Sequence, residues 1–293
     1  MTQLPQQSIP PWVTEIDYTW LEGKYCNDRS RFATVDGNRV HYRDEGAGPV
    51  VVMVHGTASS LHTWDPWVEL LKKRFRVVRM DLPGFGLTGP DCGDRYEVEE
   101  DVNFLHLFLQ KLGIQSAHLV GNSLGGRIIW QYALKYPTHT QSLTLINALG
   151  YPQGKWPPPI KFGQTPLIDK VMEKFSPRFL FQLGLREMYF DQSLVTPKLV
   201  DRYFELSRFP GNLSAFTKRV KANLDGHSHL IYNIKAPTLV LWGKEDKYFP
   251  VVNAHKFKND IWGAKVQIFP NVGHLPMEEV PEKSVQCFLE FVG

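Results

Sequence analysis

Cysteine is scarce. Cys26, Cys92 and Cys287 lie far apart in 293 residues, and with no CxxC pair among them the chain offers neither a disulfide framework nor a zinc–thiolate site. Excess charge is equally lacking. Thirty-three basic residues against 30 acidic ones leave a net charge of +3, too little to imply a nucleic-acid partner. The densest basic run, Lys72-Lys73-Arg74, reads as a solvated helix end. No apolar run approaches the roughly 20 residues of a membrane span, and Met1–Pro11 lacks the basic-then-apolar order of a signal peptide. A cytoplasmic protein with free thiols and no integral membrane segment is therefore the expectation. Internal repeats are absent. Hydrophobic residues, by contrast, make up 43% of the chain and charged residues 22%, the balance of a globular protein with a sizeable core.

After an aromatic and proline-bearing arm over residues 1–30, the pattern becomes regular. Arg31–Val35 and Asn38–Asp44 read as strands joined across Asp36-Gly37, a hairpin signal. Val50–Val54 and Arg76–Met80 are short apolar runs of the kind found in strands covered on both faces. Trp64–Lys73, Glu97–Leu112 and Leu124–Tyr136 carry helical spacing, and Ala117–Val120 and Ser142–Ile146 return to strand. Strand and helix in alternation imply a mostly parallel sheet with helices on both faces. From about Gly150 to Asn233 the alternation stops. Helix-like stretches at Leu167–Phe175, Pro177–Met188 and Pro197–Phe209 follow Trp156-Pro157-Pro158-Pro159. Roughly 80 residues without a strand signal is too long for a loop. An inserted helical cap over 150–233 is expected, with 1–149 and 234–293 forming the α/β core. Thr238–Trp242, Val251–Asp260, Lys265–Phe269 and a helix from Pro281 complete that core.

The residues that carry chemistry fall at strand ends. Gly121-Asn122-Ser123-Leu124-Gly125-Gly126 matches G-x-S-x-G between a strand and a helix, the setting in which a tight, strained turn presents a serine hydroxyl. A serine needs a base. Of ten histidines, His274 lies in the loop after Lys265–Phe269, at the carboxyl edge of the sheet shared with Ser123. The imidazole in turn needs a carboxylate to fix its tautomer, and Asp246 follows Thr238–Trp242 at the same edge, with Glu245 as its neighbouring rival. Val54-His55-Gly56-Thr57 closes a strand and supplies an oxyanion donor from the Thr57 N–H, or from Ala58 one position on. The Leu124 N–H is the second donor. His55 reads as a structural hydrogen-bonding residue and Asp81 as a turn former.

Taken together, His55-Gly56, Asp81-Leu82-Pro83-Gly84-Phe85-Gly86, the Ser123 turn, Trp242-Gly243-Lys244-Glu245-Asp246 and Gly273-His274 resemble the α/β-hydrolase superfamily from about Arg31 onward. The resemblance implies a Ser123–Asp246–His274 triad and no cofactor or metal. Ser123 argues against the aspartate-nucleophile branches, the haloalkane dehalogenases and epoxide hydrolases. Meta-cleavage-product hydrolases, which cut carbon–carbon bonds, usually carry an aromatic residue after the histidine, where this chain has Leu275. The Ser123 turn with Gly273-His274-Leu275-Pro276 is most similar to carboxylesterases and lipases, while cofactor-free haloperoxidases share the same triad.

The expected reaction is hydrolysis of small to medium apolar esters through an acyl-enzyme, with a carbon–carbon hydrolase or a non-hydrolytic ligand receptor as rivals. The cap is rich in aromatics, among them Phe162, Phe175, Phe179, Phe181, Tyr203 and Phe204. More than half are expected in its own core. The rest, with Trp64 and Leu275, are candidates to line an acyl pocket.

Overall fold

A computed structural model describes residues 9–10, 13–154, 156–222 and 226–293. Part of the expected N-terminal arm, residues 1–8 and 11–12, lies outside the described residues. The arm's remainder forms helix α1 (Tyr18–Tyr25), which the sequence pattern did not reveal. Asp17 caps it by accepting from the Thr19 and Trp20 N–H groups, the ordinary way an N-terminal turn satisfies its free donors.

Eight strands form one sheet in the order β1-β2-β4-β3-β5-β6-β7-β8. They are β1 (Ser30–Val35), β2 (Asn38–Glu45), β3 (Val50–Val54), β4 (Arg76–Met80), β5 (Ala117–Asn122), β6 (Thr140–Ile146), β7 (Thr238–Gly243) and β8 (Lys265–Phe269). The first two pair antiparallel across Asp36-Gly37, where both residues take positive φ, as a two-residue hairpin turn demands. From β4 to β8 every pairing is parallel.

Alternate side chains of the central strands enter opposite layers. Val52, Val54, Val240 and Trp242 pack on one side with α3 (Val98–Lys111), α4 (Leu124–Lys135) and α10 (Val252–Asp260). Val51, Met53, Leu239 and Leu241 pack on the other with α2 (Asp65–Leu71) and α12 (Pro281–Val292). That two-sided burial is why these strands read as unbroken apolar runs. Each fully buried valine or leucine contributes about 1.5–3 kcal/mol. The chain leaves β3 for β4 on one side and returns to β5 on the other. A crevice opens at the carboxyl ends of strands where the order reverses in this way.

Between β6 and β7 the described residues hold helices only: α5 (Pro158–Gln164), α6 (Ile168–Lys174), α7 (Arg178–Met188), α8 (Pro197–Ser207) and α9 (Asn212–Lys221). The proline run starts α5, because proline is tolerated in a first helical turn. This segment is fastened to the sheet domain at several points. Arg219 donates to Asp101 and, at 2.8 Å, to the Pro83 carbonyl. Lys24 and Tyr25 of α1 both donate to Glu205 of α8.

The aromatic residues of this segment divide between interior and surface. Phe204 and Tyr203 are buried, with Phe181 edge-on to Phe204. Phe162, Phe175 and Phe179 are half exposed. Among the described residues no helix is long and apolar enough to cross a membrane.

Candidate active site

Ser123 stands between β5 and α4 with φ +56° and ψ −117°, a conformation that costs a non-glycine residue about 1–3 kcal/mol. The surroundings enforce it. Ser123 N donates to the Ile146 carbonyl at 3.1 Å, and its own carbonyl accepts from Leu149 N at 3.0 Å and Arg127 N at 3.2 Å. The flanking glycines leave no room for side chains: a Cβ on Gly125 would overlap the Val54 carbonyl, and one on Gly126 would overlap Ala148. Leu124, Gly125 and Gly126 open α4, so their N–H groups have no helical acceptor one turn back and lend the serine a positive helix end.

The turns that carry Asp246 and His274 meet beside this elbow. Asp246 follows β7 and His274 follows β8; a Cβ on Gly243 would overlap the Gly273 carbonyl, and one on Gly273 would overlap the Met188 carbonyl. His274 Nδ1 lies 2.8 Å from Asp246 Oδ2. The carboxylate can only accept, so Nδ1 carries the proton and Nε2 is left as a base. Asp246 is buried at the side chain yet satisfied. Oδ1 accepts from Tyr248 N at 2.7 Å, and Oδ2 also accepts from Asn147 Nδ2 at 2.6 Å. Glu245, the neighbouring rival, instead accepts from Val272 N at 3.1 Å and braces the His274 loop. The rings of Tyr248 and Phe249 each sit 5.3 Å from the imidazole.

The link from the Ser123 elbow to the His274 loop runs through Asn122. Its Nδ2 donates to the His274 carbonyl at 3.2 Å and to the Ile146 carbonyl at 3.1 Å, which brings the β5 elbow and the β8 loop together at one rim. Ser123 Oγ makes no hydrogen bond among the described residues, so the hydroxyl-to-imidazole step is the one link left open. Such contacts commonly tighten only with substrate in place.

Several residues at this rim went unnoticed in the sequence. Asn147, just beyond β6, holds Asp246 through Nδ2 while its Oδ1 accepts from Gly243 N at 3.1 Å. Its φ of +42° suits asparagine better than most residues. The His274 N–H donates to the Met188 carbonyl at 2.7 Å, so the last residue of α7 seats the imidazole-bearing residue. Glu279, at the end of α11 (Pro276–Glu279), accepts from Gly273 N at 2.7 Å and Phe190 N at 2.8 Å, and burial raises its pKa. Glu278 gathers Thr63, the Tyr189 hydroxyl at 2.7 Å and Arg202 at 3.2 Å. A run of Met-Glu-Glu after a histidine carries no sign of these partners, which come from segments far away in the chain.

The His55–Gly56 loop lies directly against the serine, since a Cβ on Gly56 would come within 3.0 Å of Ser123 Cβ. Thr57 is half-buried and Leu124 buried at this junction. His55 Nε2 accepts from Leu82 N at 3.0 Å, which leaves the proton on Nδ1 for the Gly56 carbonyl at 2.7 Å. Burial lowers its pKa and keeps it neutral. Asp81 does more than form a turn: it accepts from Leu61 N at 2.7 Å and Leu87 N at 2.9 Å and pairs with His41 at 2.8 Å.

Trp64 and Leu275 are placed otherwise than an open pocket wall requires. Both are fully buried in the α2–α12 layer, Trp64 edge-on to Trp67 at 5.9 Å, and the structure gives them a packing role. Among the described residues no group of three or more His, Cys, Asp or Glu side chains is arranged to hold a metal ion.

Comparison with known proteins bears on the fold. The family described as alpha/beta hydrolase fold matches residues 49–281. A 2-hydroxy-6-oxononadienedioate/2-hydroxy-6-oxononatrienedioate hydrolase of Comamonas testosteroni is 29% identical over 277 residues, covering 90% of this chain and 96% of its own. The monoacylglycerol lipase abhd6-B of Xenopus laevis is 29% identical over 260 residues, covering 85% and 76%. The solved meta-cleavage product hydrolase CumD of Pseudomonas fluorescens IP01 superposes with a TM-score of 0.78 at 25% identity, over 89% of this chain and 96% of that one. With the match spanning most of its length, this chain belongs to the alpha/beta hydrolase fold family and is a hydrolase.

Proposed function

We propose that the chain hydrolyses carboxylic esters with apolar acyl groups through a Ser123 acyl-enzyme, the helical segment between β6 and β7 acting as a cap over the site. The observation that carries this reading is the buried Asp246–His274 hydrogen bond of 2.8 Å, tied to the Ser123 elbow by Asn122 at 3.2 Å. His274 Nε2 removes the Ser123 proton as Oγ attacks the ester carbonyl, and Asp246 stabilises the imidazolium. The oxyanion is received by the N–H groups of Leu124, at the start of α4, and Thr57, each such donor being worth on the order of 3 kcal/mol. His274 then gives its proton to the leaving alcohol, and water repeats the sequence to release the acid. A panel of nitrophenyl esters of increasing chain length tests the reading. Ser123→Ala should lower kcat by roughly 10⁴- to 10⁶-fold, and a serine-directed phosphonate should label Ser123 in the wild type but fail in His274→Ala. Activity that survives Ser123→Ala refutes it.

A second reading is favoured by the relatives themselves, since the Comamonas protein is named as a hydrolase of 2-hydroxy-6-oxo dienedioates. The same serine, base and acid would then release a dienol carbon in place of an alcohol. Leu275, where those enzymes usually carry an aromatic residue, speaks for the ester. The ratio of kcat/KM on a 2-hydroxy-6-oxo-dienoate to that on a nitrophenyl ester separates the two.

A further inference from the structure

We infer that one face of the helices α6 and α7 docks on an anionic lipid surface. Large apolar side chains are normally scattered when exposed, and a contiguous set marks an interaction site. Here Leu167, Val171 and Phe175 follow one another at four-residue spacing along α6 and its end, with 74%, 58% and 57% of their surface open. Phe179 and Leu183, again four apart, continue the stripe on α7 at 56% and 53%. Within α7 that spacing puts Phe179 and Leu183 on one helical face, while Leu167 and Phe175 flank the two ends of α6. The opposite face of α7 is occupied by the protein, with Leu185 buried and Phe181 against Phe204. The helix is thus two-sided, with its apolar outer side uncovered.

Charge identifies the occupant. Lys161 on α5, Lys170 and Lys174 on α6 and Arg186 on α7 are exposed in this segment. Of the acidic side chains nearby, Asp201 is paired with Arg178 at 2.6 Å, while Glu173, which accepts from the Thr217 hydroxyl at 2.5 Å, and the exposed Asp191 keep their charge, so that the cations hold a small excess. Glu187 is an exposed acid at the far end of α7. Projecting apolar residues collared by lysine suit a layer of anionic head groups over acyl chains. A second copy of the chain suits it poorly. A two-fold contact sets a patch against itself and would bring these cations together.

The same helix reaches the site, for α7 ends at Met188, whose carbonyl receives the His274 N–H at 2.7 Å. A docked α7 therefore stands one helix length from the proposed base. The further statement that the ester is drawn from that lipid layer rests on the ester reading above. The docking itself does not.

The test is co-sedimentation of the full chain with vesicles of phosphatidylcholine alone or mixed with phosphatidylglycerol. Binding is expected to the mixed vesicles and to weaken with salt. Val171→Asp and Leu183→Asp should each weaken it at least about tenfold, and Lys174→Glu by about fivefold or more. All three should keep wild-type kcat/KM on a water-soluble nitrophenyl acetate, which also reports their folding. Absence of pelleting with either vesicle overturns the inference. So does a dimer in analytical ultracentrifugation that Val171→Asp converts to monomer. Vesicle binding without turnover of any ester upholds the docking and removes the ester reading.

Discussion

Replacing Asn147 by glycine should slow the enzyme without unseating its fold. Asparagine at 147 does two things: Nδ2 donates to Asp246 Oδ2 at 2.6 Å, and Oδ1 receives the Gly243 N–H at 3.1 Å. Its φ of +42° means that alanine would add backbone strain to the loss of both bonds, whereas glycine adopts that region freely. Asn147→Gly therefore isolates the hydrogen bonds. A bond to an ionised carboxylate contributes about 1.5–3 kcal/mol, and Asp246 with one partner fewer holds the imidazole less firmly. If that loss falls on the transition state, kcat drops roughly 10- to 150-fold, with KM little changed because Asn147 meets no substrate atom. Steady-state hydrolysis of a nitrophenyl ester, beside urea unfolding of both Asn147→Gly and Asn147→Ala, gives the comparison. A folded Asn147→Gly with wild-type kcat would refute a positioning role. Equal catalytic loss in the two variants, with Ala the less stable, would support it.

Two further outcomes follow from the geometry. Gly125→Ala places a methyl group against the Val54 and His55 carbonyls, so the loop bearing Gly56 and Thr57 must move off the serine; stability should fall by about 1–3 kcal/mol, and an unchanged kcat/KM would contradict the proposed oxyanion site. His62 is buried with the Arg43 guanidinium 3.2 Å from its Nε2, and burial, helped by that charge, lowers its pKa to about 3. A base whose folded pKa is depressed lets the unfolded chain take up the proton first, so stability is lost as pH falls below the ordinary histidine value of about 6.5. The loss is about 1.4 kcal/mol per pH unit and continues toward the folded value. Urea-unfolding free energies at pH 7, 6 and 5 should diverge in slope between the wild type and His62→Gln, and parallel curves would remove His62 from the account.

The sheet was legible because burial on both faces turns its strands into unbroken apolar runs, and because Gly, Asp and Pro punctuate their ends. Ser123, Asp246 and His274 could be singled out as candidates because each sits just past such a run. Asn147 sits in the same position, yet an asparagine after a strand is an ordinary sight, and only the approach of β7 gives it a partner. Glu278 and Glu279 were hidden for the same reason: their partners Tyr189, Arg202 and the Phe190 N–H arrive from the helical segment. Helices α5 and α9 escaped because short helices draw their support from packing rather than from a long period. Trp64 misled through its type, since a tryptophan near a site fits a pocket as readily as a core.

Residues 146–149 grip two of the three chemical groups at once: Ile146 and Leu149 fasten the backbone of Ser123, and Asn147 fastens the carboxylate of Asp246. Ser123 and Asp246 therefore cannot drift apart independently, for sliding β5 against β7 would have to tear the short stretch that stands between them. Damage there should propagate in both directions, so substitutions in this stretch should combine with changes at 123 or 246 non-additively. A four-residue splice thus does the aligning that the long α/β scaffold would otherwise have to do by rigidity alone.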